Sequence, residues 1–358
     1  MRTIRITMAQ INPIVGDLTG NRDKIIDAIS GAKKHGADIV ALPELAVTGY
    51  PPEDLILKPR FVKDNIETLK EIRRATKGLV AIVGFVDSNH KRLFNAAAVL
   101  ADGKHIYTYH KVFLPNYGVF DEYRYFKPGG RYPVFMVKGV GVGVNICEDI
   151  WYEEGPARVQ ALAGAEVIVN INASPYHKGK GKERQNMLSR RAKENDVIIS
   201  YTNTVGGQDE LVFDGQSMAV DRNGKVLVRG KQFEEELLTV DIQVPGTTIP
   251  FPEDREQFSD FMDYVSLSGK AAGKKKSLPA RRSGKPPCRA RGSVPRPRAR
   301  RRRLYAQERL QGRGYRTFRR HRFVARGCRC RGCDGKRERD GCIHAVAVQL
   351  AGEPRGRL

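Results

Sequence analysis

Short apolar runs alternate with longer amphipathic stretches through most of the chain. Runs of four to eight residues rich in Val, Ile and Leu, bounded by turn residues, predict strands; apolar positions recurring at three and four predict helices. On that basis strands are expected at Ile4–Gln10, Ile39–Pro43, Leu79–Val86, Phe94–Leu100, His105–Lys111, Val140–Cys147, Val167–Ile171, Ile198–Asn203, Gln216–Val220, Val226–Val228 and Leu237–Ile242. Helices are expected at Leu18–His35, Phe61–Thr76, Glu153–Ala163 and Glu183–Glu194, the second carrying Phe61, Ile66, Leu69 and Ile72 on one stripe. Ala101-Asp-Gly103, Lys127-Pro-Gly-Gly130 and Asp221-Arg-Asn-Gly224 punctuate the strands as turns. Strands alternating with helices, then closing on hairpins, predict an α/β (α+β) chain with helices covering mixed sheets. So many strands in so short a span predict two sheets packed face to face.

The pattern ends near Ile242. Pro245–Lys270 reads as acidic and loop-like, and beyond Lys274 Arg, Gly and Pro dominate. The expected organisation is therefore a folded domain over 1–245, a linker over 246–275 and a disordered basic tail over 276–358. Charge divides at the same place. The chain of 358 residues carries a net +23, yet 28 of its 63 basic and only 5 of its 40 acidic residues fall in 271–358. Residues 1–270 hold 35 of each sign and balance. The excess charge thus says nothing about the folded part, and nucleic acid is expected to meet the tail only non-specifically. No apolar run approaches the roughly 18 residues of a membrane span, and the first residues read as a strand rather than a secretion signal. One cysteine in the first 270 residues excludes a disulfide framework there and suits a reducing cytoplasm.

That cysteine, Cys147, ends a β-branched run and is followed at once by Glu148, Asp149, Ile150 and Trp151. Two other strand ends carry reactive groups: Glu44 in Leu42-Pro-Glu-Leu45, and Lys111 in His110-Lys-Val-Phe-Leu-Pro115. A thiol, a carboxylate and an amine at neighbouring strand ends suit amide cleavage. The thiol is the nucleophile and needs a base, which Glu44 supplies. Lys111 and the backbone N–H of Glu148 would meet the oxyanion. Taken singly, each has a plainer reading: a core thiol, a solvated lysine, a surface glutamate, or, for Glu122, one end of a structural ion pair.

With their surroundings these residues resemble the nitrilase (carbon–nitrogen hydrolase) superfamily over about residues 3–242. The resemblance implies a four-layer α-β-β-α sandwich and a Glu–Lys–Cys triad, carried here by Glu44, Lys111 and Cys147, with Glu122 as a further acid beside the lysine. Thr48-Gly-Tyr-Pro-Pro-Glu-Asp-Leu55, Leu114-Pro-Asn-Tyr-Gly-Val-Phe-Asp-Glu122, Cys147-Glu-Asp-Ile-Trp151, Asn172-Ala-Ser-Pro175 and Gly206–Gly215 are similar to the glutaminase domains of glutamine-dependent NAD+ synthetases. That similarity implies L-glutamine as substrate, Tyr117, Ser174 and Lys180 as its contacts, Arg184 as a further candidate, and homo-oligomeric assembly. It implies no cofactor for the glutaminase step; ATP and Mg2+ would serve a synthetase domain whose Ser-Gly-Gly-x-Asp-Ser phosphate loop is not spelled in this chain. A free-standing amidase of the same superfamily, and a basic nucleic-acid-binding protein, are the rival readings.

The genetic code offers a reason for the tail. Thr317–Ala325 permits codons whose second frame reads Leu-Ser-Gly-Gly-Ile-Asp-Ser-Ser, and the same offset applied to neighbouring segments yields further apolar text. The tail is therefore expected to be an out-of-frame remnant of a synthetase domain, the frame changing between Lys270 and Pro287. Arg298–Arg303 as a nucleic-acid arm and Cys328, Cys330, Cys333, Cys342 and His344 as a zinc set are the alternatives; the spacing is irregular for zinc.

Overall fold

The computed structural model describes residues 1–90, 92–246 and 260–267. The expected tail and phosphate-loop remnant lie outside the described residues. Two sheets form the centre. The first contains β1 (Arg2–Gln10), β2 (Ile39–Ala41), β3 (Val80–Asn89), β4 (Arg92–Ala101) and β5 (Lys104–His110). The second contains β6 (Tyr132–Val137), β7 (Val140–Ile146), β8 (Val167–Asn172) and β9 (Ile198–Asn203). A small hairpin, β10 (Val205–Gln208) and β11 (Leu211–Asp214), stands apart. β12 (Met218–Val220) and β13 (Val226–Arg229) extend the second sheet, β14 (Glu236–Val244) returns to pair with β1, and β15 (Met262–Leu267) closes the edge beside β6. The spatial orders are β14-β1-β2-β3-β4-β5 and β13-β12-β9-β8-β7-β6-β15.

Alternation along the strands decides which side chains lie between the sheets. Ile4, Ile6, Ile39, Ala41, Ile82, Ala97 and Val99 of the first sheet share one core with Val134, Val142, Val144, Val169 and Ile171 of the second. The intervening residues Val40, Ala81, Val83, Ala96 and Ala98 face outward and pack with Ile25, Ile29, Leu69 and Ile72. Those four belong to α1 (Leu18–Lys34) and α2 (Pro59–Arg73). α1 starts where Asp17 accepts a hydrogen bond from the Gly20 N–H at 2.9 Å, and α2 starts on Pro59, whose fixed φ suits a first turn. α3 (Pro156–Leu162) and α4 (Lys180–Asn195) bring Ala157, Val159, Met187 and Leu188 to the second sheet. The result is the expected α-β-β-α sandwich. Among the described residues no helix is long and apolar enough to cross a membrane.

β6, β10, β11 and β15 have no counterpart in the pattern reading. β6 contains Pro133, and β10 contains Gly206 and Gly207, residues that argue against a strand. β15 lies inside the stretch read as loop-like. It runs parallel to β6 from Met262↔Tyr132 to Leu267↔Val137, and only Met262 is buried, so it lacks the alternation that marks a strand.

Candidate active site

Cys147 follows β7 directly, Lys111 follows β5 and Glu44 lies three residues past β2. Gly84 on β3 makes the approach of the Glu44 loop possible. A Cβ there would lie 2.3 Å from the Pro43 carbonyl oxygen and 2.4 Å from the Leu45 nitrogen. The loop backbone therefore rests flush on the strand, and only glycine leaves room for it.

The structure joins the acid and the amine. Lys111 Nζ donates to Glu44 Oε1 at 2.7 Å and to Glu122 Oε1 at 2.8 Å, with all three residues buried. Asn95 on β4, which the pattern reading missed, donates from Nδ2 to Glu44 at 2.7 Å and to Glu122 at 3.3 Å. Its carbonyl accepts the Lys111 N–H at 2.8 Å. The Ala173 N–H holds Glu44 Oε2 at 2.9 Å, and the Tyr50 hydroxyl donates to Glu122 at 3.1 Å. Burial alone would lower the Lys111 pKa, but Glu122 and Glu44 outweigh it and raise it well above the ordinary value. Burial pushes Glu122 up to about 7 against the pull of Lys111, with the negative charge of Glu44 adding to the rise. One cation between two buried carboxylates cannot neutralise both.

Cys147 sits at a φ of +44°, in the left-handed region that side chains other than glycine seldom enter. The strand turns sharply there into the short 3-10 turn Cys147–Ile150. The thiol is buried, and its pKa is well above the ordinary value: burial and the charge of Glu44 outweigh the opposite effect of Lys111. Glu44, Lys111, Glu148 and Glu122 all act electrostatically on this one sulfur. Asp149 is also buried. It accepts hydrogen bonds from the Val112, Phe113 and Ile146 N–H groups and from the Tyr109 hydroxyl.

Around this centre the other expected residues take different places. The Tyr117 hydroxyl donates to both oxygens of Glu148 at 2.9 Å, and its ring is half exposed. Ser174 is buried just past β8, its N–H donating to Asn203 at 2.9 Å. Lys180 begins α4 with its ammonium 4.1 Å from the centroid of the Trp151 ring and 3.3 Å from Glu183. Arg184 departs from expectation. It is wholly buried, its guanidinium paired with Asp214 and donating to the Gly215 carbonyl at 3.0 Å, so it does not stand open to a substrate carboxylate. It shares a stripe of α4 with Lys180 but lies one turn further into the helix, where Asp214 and Gly215 enclose it. Among the described residues no group of three His, Cys, Asp or Glu side chains is arranged to hold a metal ion.

A family model described as carbon-nitrogen hydrolase matches residues 5–248. The glutamine-dependent NAD(+) synthetase of Thermotoga maritima is 47% identical over 247 residues, which cover 68% of this chain and 43% of that protein. The enzyme of the same name from Aquifex aeolicus is 46% identical over 244 residues, 67% of this chain and 42% of that protein. This chain thus spans less than half the length of these curated relatives. Among solved structures, the glutamine-dependent NAD+ synthetase of Acinetobacter baumannii superposes with a TM-score of 0.65 at 34% identity, covering 79% of this chain and 49% of that one. An amidase from Nesterenkonia sp. superposes at 0.61 with 27% identity, covering 67% of this chain and 90% of that one; there the acetamide moiety of fluoroacetamide is covalently added at the active site cysteine.

Proposed function

The chain belongs to the carbon–nitrogen hydrolase family, and on that footing we propose that the two-sheet unit is a glutamine amidohydrolase releasing glutamate and ammonia. The observation that carries the reading is the buried Lys111 ammonium bonded to Glu44 and Glu122 beside an elbow cysteine. Because burial keeps the Cys147 thiol protonated, attack requires a base at the moment of reaction. Glu44 takes the thiol proton as Sγ bonds the amide carbon. Lys111 spends two of its three N–H bonds on Glu44 and Glu122, which leaves the third for the oxyanion. The Glu148 N–H is the second donor. Glu44 then protonates the departing nitrogen as the carbon–nitrogen bond breaks, and ammonia leaves a thioester on Cys147. A water molecule gives its proton to Glu44, its oxygen attacks the thioester carbon, and the proton returns to sulfur as glutamate departs. Bonds and protons balance with these side chains and water alone.

Tyr117 and Ser174 would hold the polar ends of the substrate and Lys180 its α-carboxylate; Arg184 is assigned instead to packing α4. The names of the relatives place glutamine chemistry within NAD+ synthesis, and an ammonia-consuming amidation that uses ATP and Mg2+ is the fitting partner step. The out-of-frame account of 276–358 is tested by the nucleotide sequence across codons 265–358. An alternative frame encoding the phosphate loop supports it, and the lack of one removes it.

The test of the chemistry is ammonia release from glutamine by the parent chain and by Cys147→Ala. The variant is expected to lose at least 10³-fold of the activity, the scale of removing an activated nucleophile. Undiminished release excludes Cys147 as nucleophile. A second reading, a free-standing amidase on another small amide, rests on this chain covering 90% of the Nesterenkonia enzyme. Turnover of simple aliphatic amides with glutamine inert would favour it.

A further inference from the structure

The proposed mechanism uses Glu44, Lys111 and Cys147 but gives the buried Asp149 carboxylate no task. Asp149 is fully enclosed, and four donors converge on it. Oδ1 accepts the Val112 N–H at 3.1 Å and the Phe113 N–H at 2.8 Å. Oδ2 accepts the Ile146 N–H at 3.0 Å and the Tyr109 hydroxyl at 2.7 Å. Val112 and Phe113 follow Lys111 directly, Ile146 precedes Cys147 directly, and Tyr109 is the next-to-last residue of β5, the strand that delivers Lys111. Lys111 and Cys147 hang from different sheets. One side chain therefore ties together the backbone on which the cation and the thiol are each mounted.

We propose that Asp149 is a positioning residue that fixes the Cys147 sulfur relative to the Lys111 ammonium. The need for it follows from the backbone at Cys147. A positive φ at a residue with a side chain is strained and persists only where surrounding contacts over-determine it. The bond from Ile146 N–H to Asp149 closes the turn on which Cys147 rides, and the two bonds from Val112 and Phe113 anchor that turn to the other sheet. A neutral amide of the same size cannot repeat the pattern. Asn keeps one acceptor oxygen and presents an N–H2 group where two donors already point. One side of the link is lost, and the elbow drifts from the lysine.

This inference rests on the thioester reading above, and its test separates the two. Asp149→Asn and Tyr109→Phe are compared with the parent for kcat, KM, thermal midpoint and the rate at which iodoacetamide alkylates Cys147, followed on the peptide that contains it. Alkylation needs no substrate and so reports on the thiol whatever amide the enzyme prefers. Asp149→Asn is expected to lower kcat on the order of 10²-fold, the effect of a misplacement of about an ångström, with KM within about twofold and slowed alkylation. Tyr109→Phe, which removes one of four donors, is expected to lower kcat several-fold, and it carries the test alone if Asp149→Asn does not fold. Folded variants with parental kcat and alkylation, and only a lower midpoint, would make Asp149 a purely structural group and overturn the proposal. A loss confined to KM would also overturn it. If Cys147→Ala keeps its activity, it is the thioester reading that fails, while the alkylation comparison still reads the geometry.

Discussion

Replacing Glu122 by Gln isolates the energetic cost of the second carboxylate beside Lys111. Its pKa is raised from the ordinary 4.5 to about 7, chiefly by burial. A carboxyl that holds its proton more tightly in the folded chain than in the unfolded one stabilises the fold at low pH. That contribution fades as pH rises from 4.5 through 7, because the folded chain must then keep a buried charge. Over the interval from pH 5 to pH 8 this amounts to roughly 2–3 kcal/mol. Gln is neutral throughout and lacks this dependence. The gap in unfolding free energy between Glu122→Gln and the parent should therefore widen by about that amount in favour of the variant. Buried carboxylates that do not face Glu122, Asp149 among them, are present in both chains and cancel in the difference. Urea unfolding at a series of pH values measures it, and Trp151, the only tryptophan in the chain, supplies the fluorescence signal. A gap independent of pH would mean that Glu122 titrates like an exposed carboxylate. A gap that narrows would mean that the ion pair with Lys111 outweighs burial. Either outcome would refute the charge balance drawn here for the site.

Asn95→Leu removes the donor shared by Glu44 and Glu122, and hydrogen bonds to charged groups contribute about 1.5–3 kcal/mol each. A loss of roughly 3 kcal/mol in unfolding free energy and a fall in kcat of more than about tenfold are expected; full activity in the ammonia assay would remove Asn95 from the site. Arg184→Met leaves the Asp214 charge buried and unpaired, for which a loss of about 3–5 kcal/mol is expected, with KM unchanged in whatever fraction remains folded. A raised KM at unchanged stability would instead return Arg184 to the substrate.

Much of this site is readable before folding because its principal groups interrupt apolar text. Glu44, Lys111 and Cys147 each stand where a β-branched run stops, so strand ends and reactive groups are found together. Asn95 is invisible to the same reasoning. It is a lone polar residue within the otherwise apolar run Phe94–Leu100, and only the fold brings its backbone carbonyl to the Lys111 N–H and its side-chain amide to two carboxylates. Asp149 is legible as an acid near the thiol, but its duty depends on β5 and the segment after it, which belong to the other sheet. Arg184 misleads for the opposite reason: its spacing from Lys180 puts both on one stripe of α4, but does not say that Asp214 encloses the inner of the two. The two-sheet architecture follows from strand count and alternation, whereas β15 escapes because a half-exposed edge strand needs little hydrophobic pattern to pair.

That last strand bears on where this unit can be cut. β15 occupies the outer rim of the second sheet, hydrogen-bonded along the whole of β6. A fragment stopped at residue 246 would strip β6 of its neighbour and bare a row of backbone donors and acceptors running from Tyr132 to Val137. Exposed ladders of that kind recruit strands from other molecules. A soluble recombinant fragment should accordingly extend to at least Leu267, and shorter versions should clump in proportion to concentration.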